Sequence, residues 1–135
     1  MTSIVREFAV AADEKTAWAA LADVGAVNKL IPFLGPVTVD GDVRKIDMGE
    51  FGIIEELVVT VDDERRRVAY SVRRSPWPLV HHHSSMQILP PAPGESGSRL
   101  LWLVDLLPAD VAPEFASGMD GAVEAIRHSL AEPAS

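Results

Sequence analysis

The sequence contains no cysteine and one tyrosine, and it is short of basic residues, with 12 Lys plus Arg against 20 Asp plus Glu. Each shortage excludes something. Without cysteine there can be no disulfide, no thiolate nucleophile and no cysteine-ligated metal. A formal charge of −8 repels phosphate backbones, whose recognition depends on cationic side chains, so neither nucleic acid nor an anionic membrane is an expected partner. No apolar run approaches the ~20 residues that cross a bilayer as a helix. The opening "MTSIVREF" has no basic-then-apolar signal build, which makes a cytoplasmic location the expectation. No glycine-rich phosphate loop follows a strand pattern, and Ser84 and Ser85 lack the strained elbow of a hydrolase serine.

What is present describes one ordinary folded unit. The 135 residues are 47% hydrophobic and 24% charged, which fits a single domain over 1–135. At that size folding hides about 70% of the surface of the unfolded chain, enough for a real core.

Hydrophobic spacing divides the chain into elements. "SIVREFAV" alternates with period two and predicts a strand. "DEKTAWAALADV" changes period: Ala17, Trp18, Leu21 and Val24 share a helical face, Asp13 is placed to cap its start and Gly25 to end it. A short second helix in "AVNKLIPFL" should stop at Pro32 or at the "LGP" turn. From residue 37 to about 107, six strand-like segments follow with short turns between them, as in an antiparallel meander. The end returns to helical spacing, with Val111, Phe115, Met119, Ala122, Ile126 and Leu130 forming one stripe over about 20 residues. Asp110 is a candidate cap there, and Pro113 falls in the first turn, where a missing N–H costs little.

A sheet that curls around a long C-terminal helix buries both apolar faces and leaves room between them. On "VREFAVAADEKTAWAALADV", on "GDVRKIDMGEFGIIEELVVTVDDERRRVAYSV" and on "LVHHHSSMQIL" followed by "LLWLVDLLP", the chain resembles the START-like, or helix-grip, superfamily. That superfamily includes polyketide cyclase/dehydrase-like bacterial proteins, birch-pollen-allergen relatives and the plant abscisic acid receptors. The resemblance implies an α+β fold: a seven-stranded curved antiparallel sheet around the last helix, with two short helices between the first two strands. It also implies a small hydrophobic ligand, lipid- or polyketide-like, in a cavity of roughly 300–1,000 Å³. Within the receptor branch, Glu55 and Leu57 look like the glutamate and leucine of an "ERL" signature, with Glu56 in place of the arginine. His82 and Ser84 lie where that branch has a pocket tyrosine and serine. "MGEFGI" and "SPWPL" replace the receptors' gate and latch, so hormone signalling is not implied.

Strand parity bears on the triplet in "LVHHHSSMQIL". Met86 and Ile88 are apolar and Ser85 and Gln87 polar, so even positions face inward: His82 and Ser84 in, His81 and His83 out. Two histidines on one outer face lack a third ligand, so no metal site is expected, nor any other cofactor. The same alternation puts Val68, Tyr70 and Val72 inside. It also gives Phe51, Ile53, Leu57, Val59 and Val61 as an inner set, carrying Glu55 with them. Trp102 and, on the last helix, Met119, Val123 and Ile126 complete the expected ligand-binding set. Trp77, Phe33 and Leu34 belong near the cavity mouth. Gly118 and Gly121 each cost about 1 kcal/mol relative to Ala in a helix, which suggests that bulk there would collide with a strand or a ligand.

Two further functions compete with ligand binding in a monomer or homodimer. In a polyketide aromatase/cyclase-type enzyme, His82 or Glu55 would move the proton. A protein-interaction module of the chaperone-cofactor kind would have a filled interior and a large exposed apolar patch.

Overall fold

A computed structural model describes residues 2–131. The last residues of the expected C-terminal element and of the expected 1–135 domain lie outside the described residues. Seven strands form one sheet in the order β1-β7-β6-β5-β4-β3-β2. They are β1 (Thr2–Val10), β2 (Val37–Asp40), β3 (Val43–Asp47), β4 (Ile53–Asp62), β5 (Arg67–Arg74), β6 (His81–Leu89) and β7 (Ser98–Leu107). Every neighbouring pair is antiparallel. The meander from β2 to β7 consists of local hairpins, and β1 joins it by pairing with β7 along its full length, from Thr2↔Leu106 to Val10↔Ser98. Between β1 and β2 lie α1 (Glu14–Ala22) and the single turn α2 (Val27–Leu30); α3 (Ala112–Ser129) closes the chain. This is the α+β helix-grip arrangement.

Local chemistry sets the helix limits. Asp13 caps α1 by accepting from the Thr16 N–H at 2.7 Å. The helix ends at Ala22, and Gly25 falls in a following 3₁₀ turn, so the stop precedes the expected glycine. Asp110 does not cap α3. It sits inside a 3₁₀ turn, Ala109–Val111, that leads into the helix, and Pro113 occupies the first turn, where no intrahelical donor is lost.

The core lies between the concave face of the sheet and the two longer helices. Val68, Met86, Ile88, Leu100, Trp102 and Val104 come from the strands, and Trp18, Leu21, Met119, Ala122 and Ile126 from the helices. The C-terminal end of α3 is tied down: Ala12 N–H donates to Leu130 O at 3.0 Å and Ser129 Oγ to Leu30 O at 2.8 Å. Trp18 Nε1 donates to Asp63 at 3.0 Å and Arg66 pairs with Glu14 at 2.8 Å, which fix α1 to the β4–β5 turn.

The segment after α2 is pressed onto the end of β3. Asp47 N–H donates to Pro36 O at 2.9 Å, and a Cβ on Gly35 would lie only 1.6 Å from the Asp47 carbonyl oxygen. Backbone cannot yield as a flexible side chain does. Gly35→Ala is therefore expected to lower unfolding free energy by about 2 kcal/mol, measured by urea denaturation. An unchanged midpoint would mean the loop is not held there.

Candidate functional site

The hollow is built at the place where two strands part. β5 and β6 pair from Arg67↔Gln87 only as far as Tyr70↔Ser84. Beyond that point side chains take over from the ladder. Val72 N–H donates to His82 Nδ1 at 3.0 Å, and Ser71 Oγ donates to the His82 carbonyl oxygen. The imidazole thus replaces a missing strand partner, which fixes its tautomer: Nδ1 accepts, and the neutral ring carries its proton on Nε2. His81 is exposed, while His82 is 2% exposed and lines a hollow between the sheet and α3.

That hollow has a volume of about 230 Å³, just below the expected range. Leu30, Ile31, Phe33 and Leu34 wall it on one side, Met86 and Trp102 on the sheet, and Phe115, Gly118, Met119 and Ala122 along α3. Trp77 stands over Phe115 edge to face, with centroids 5.3 Å apart, and Phe115 is 5.5 Å from the His82 ring. An apolar chamber results, with polar groups at a few points.

Those polar groups are Arg44, Glu56, Tyr70 and His82. Arg44 and Glu56 stand directly opposite each other on β3 and β4. Arg44 Nε donates to Glu56 Oε1 at 2.9 Å, Nη2 lies 2.7 Å from the same oxygen as an ion pair, and Nη1 donates to Val24 O at 3.0 Å. Both side chains are buried, and the guanidinium also lies 5.2 Å above the Tyr70 ring. Burial pushes the Glu56 carboxyl above its usual range, with the charge and hydrogen bonds of Arg44 opposing. Burial, and then the Glu56 charge, push the Tyr70 hydroxyl up to about 12, so it remains a donor. Burial, and then His83 and His81, push His82 down to about 4.

The expected site residues fall into four groups. Tyr70, His82, Trp102 and Met119 line the hollow. Ser84, completely buried, stands behind it and accepts from Trp102 Nε1 at 2.9 Å. Val123 and Ile126 are not in the lining; Ile126 is core, and Val123 packs partly buried against the core. Glu55 requires correction. The β4 parity is the reverse of the expected one: Ile54 and Glu56 face the hollow, whereas Phe51, Ile53 and Val59 are more than half exposed. Glu55 points away from it, 3.9 Å from Arg73. An outward row of apolar residues misled the alternation. The usable signal was Arg44, the cation that makes an inward carboxylate tolerable. The glycines also differ from expectation, since a Cβ at Gly118 or Gly121 would meet nothing within 4 Å. Gly118 borders the hollow and Gly121 does not. Phe33, Leu34 and Trp77 do line it.

Over residues 1–133 the sequence matches the family described as polyketide cyclase / dehydrase and lipid transport. The chain belongs to that family. No curated protein matches its sequence. Among solved structures, an uncharacterized protein of Bacillus thuringiensis superposes with a TM-score of 0.84 at 17% identity, over 97% of this chain and all of that one. A START superfamily protein of Mycobacterium smegmatis gives 0.76 at 13% identity, covering 95% of this chain and 96% of that one. Norcoclaurine synthase from Thalictrum flavum, solved with dopamine and hydroxybenzaldehyde, gives 0.66 at 17% identity over 94% and 84%. At these identities the likeness to the solved structures concerns the fold alone, the helix-grip fold. Among the described residues no helix is long and apolar enough to cross a membrane, and no cluster of metal-ligating side chains occurs.

Two outcomes follow from the electrostatics. Removing one member of a buried pair leaves an uncompensated charge, so Arg44→Met alone should cost about 3–5 kcal/mol in urea unfolding, and Arg44→Met with Glu56→Leu markedly less. Equal losses would show that the pair is not the source. For His82 the native pKa of about 4 lies below the ordinary 6.5, so the unfolded chain takes up the proton first as pH falls. Its contribution is full above about pH 7 and is lost between about 6.5 and 4, on the order of 3 kcal/mol. His82→Gln should flatten that part of the stability–pH curve; a curve parallel to the wild type would refute the assignment.

Proposed function

We propose that the protein binds a small, mostly apolar ligand in the hollow between sheet and α3, as a carrier or receptor rather than a catalyst. The observation that carries this reading is the chamber itself: apolar walls, with hydrogen-bonding groups from β3, β4, β5 and β6 converging on one side. Such a chamber gives affinity by burying a ring or chain and gives orientation through a few polar contacts. At about 230 Å³ it equals the liquid volume of about eight waters, the scale of one or two fused rings. A family that includes lipid transport is in keeping with this.

A cyclase reading has less support. Its candidate proton carriers were Glu55 and His82. Glu55 faces away, and the basic nitrogen of His82 is occupied by Val72 N–H, which leaves the ring able to donate but not to abstract. The interaction-module reading called for a filled interior, which is not what surrounds His82.

Native mass spectrometry of freshly purified protein tests the proposal. A non-covalent adduct released on mild activation is expected. Gly118→Leu should abolish it by filling the hollow's border, while Gly121→Leu, one turn on and outside the lining, should retain it. Both replacements improve helix propensity by about 1 kcal/mol, so loss of folding would not confuse the result. Identical behaviour of the two variants, or no uptake of any apolar probe, would sink the reading.

A further inference from the structure

The hollow's hydrogen-bonding groups are specific about what they leave free. Arg44 is held by Glu56 Oε1, which Nε and Nη2 both approach, and by Val24 O, to which Nη1 donates, so its charge is neutralised in place although not all five of its N–H groups are used. The second carboxylate oxygen of Glu56 has no partner among the described residues, yet no fully enclosed side-chain polar atom lacks one, so this oxygen opens onto the hollow. By the same argument, with Nδ1 held by Val72, the Nε2–H of His82 is a free donor. The Trp102 N–H is already spent on Ser84, and the Tyr70 hydroxyl is turned toward that same Ser84–Trp102 pair. One charged acceptor therefore stands on β4 and one neutral donor on β6, with the Tyr70 ring between them, 5.2 Å beneath the Arg44 guanidinium and 5.9 Å from the His82 ring.

Net charge narrows the ligand further. Of the lining residues only Arg44 and Glu56 carry charge, and they cancel. A carboxylate brought into the chamber would leave water, meet a carboxylate, and find the one guanidinium charge already neutralised by Glu56. An organic cation would enter a site of zero net charge.

We propose that the hollow selects an uncharged one- or two-ring molecule with a hydroxyl directed to Glu56 and a carbonyl directed to His82, and that it rejects the corresponding carboxylate. This rests on the reading of the hollow as a ligand site, and it moves the specificity away from fatty acids and other anionic lipids toward hydroxyaryl ketones and aldehydes.

Four probes of similar size separate the parts: ethylbenzene, acetophenone, 4-hydroxyacetophenone and 4-hydroxybenzoate, each titrated calorimetrically into the intact protein at about pH 6, where a phenol is un-ionised and a benzoate ionised. Acetophenone should bind more tightly than ethylbenzene. The added hydroxyl should improve affinity about tenfold or more, as a hydrogen bond to a buried charged acceptor does. 4-Hydroxybenzoate should be weaker than 4-hydroxyacetophenone by at least about tenfold. In Arg44→Met with Glu56→Leu the gain from the hydroxyl should vanish while acetophenone still binds. A benzoate that binds as well as the ketone, or a hydroxyl that adds nothing, overturns the selectivity while ethylbenzene binding leaves the ligand site standing. Failure of all four, ethylbenzene included, refutes the ligand site itself. The wild-type series decides the matter even if the double variant does not fold.

Discussion

The parting of β5 and β6 beyond the Tyr70↔Ser84 pair is the constraint on which the site depends. A sheet cannot open inside a folded protein without orphaning backbone groups, and a buried N–H with no partner costs about 1–3 kcal/mol. His82 removes that penalty. Its ring accepts from Val72 while Ser71 donates to its carbonyl, so the gap is held open by side chains on both of its edges. One histidine thereby has a structural and a chemical consequence together. The bond that stabilises the gap also sets the tautomer presented to the interior.

The second determinant is the buried ion pair. An Arg–Glu pair away from water is seldom a gain over apolar packing of the same volume. Here the pair stands in register on adjacent strands and is braced by the Val24 carbonyl and the Tyr70 ring. Such a pair contributes fixed dipoles without net charge. Its cost is tolerated where the chamber needs an acceptor that an apolar core could not supply.

Much of the fold was legible because it depends on period, and period survives local irregularity. The change from alternation in "SIVREFAV" to helical spacing after Asp13, and back again at residue 37, marks the same elements that the folded chain has. Within β6 and β7 the parity was legible as well, since each has one clearly more apolar face. β4 was not, because it carries valines and isoleucines on its outer face and bulges twice, near Glu55/Glu56 and Val58/Thr60. A one-residue shift turns every side chain over. Choosing between Glu55 and Glu56 required the partner strand, and sequence spacing alone does not reveal that Arg44 stands opposite Glu56. The missing cap at Asp110 has a similar cause: a 3₁₀ turn extends the approach to α3 and places the aspartate inside it.

An unfilled interior also bears on stability. At about 24 cal/mol per Å³ the hollow corresponds to a penalty of up to about 5.5 kcal/mol against a solidly packed core, an upper bound because polar groups there admit water. That is on the scale of the whole net stability of a small domain. Gly118 adds to it, a helical glycine at the chamber's border whose absent methyl relieves no clash with the protein. A sequence that forgoes both packing and helix propensity at the same place keeps space there that its own side chains do not use. Filling that space with a bound molecule would return part of the forgone stability, which ties occupancy of the chamber to the folding equilibrium of the domain.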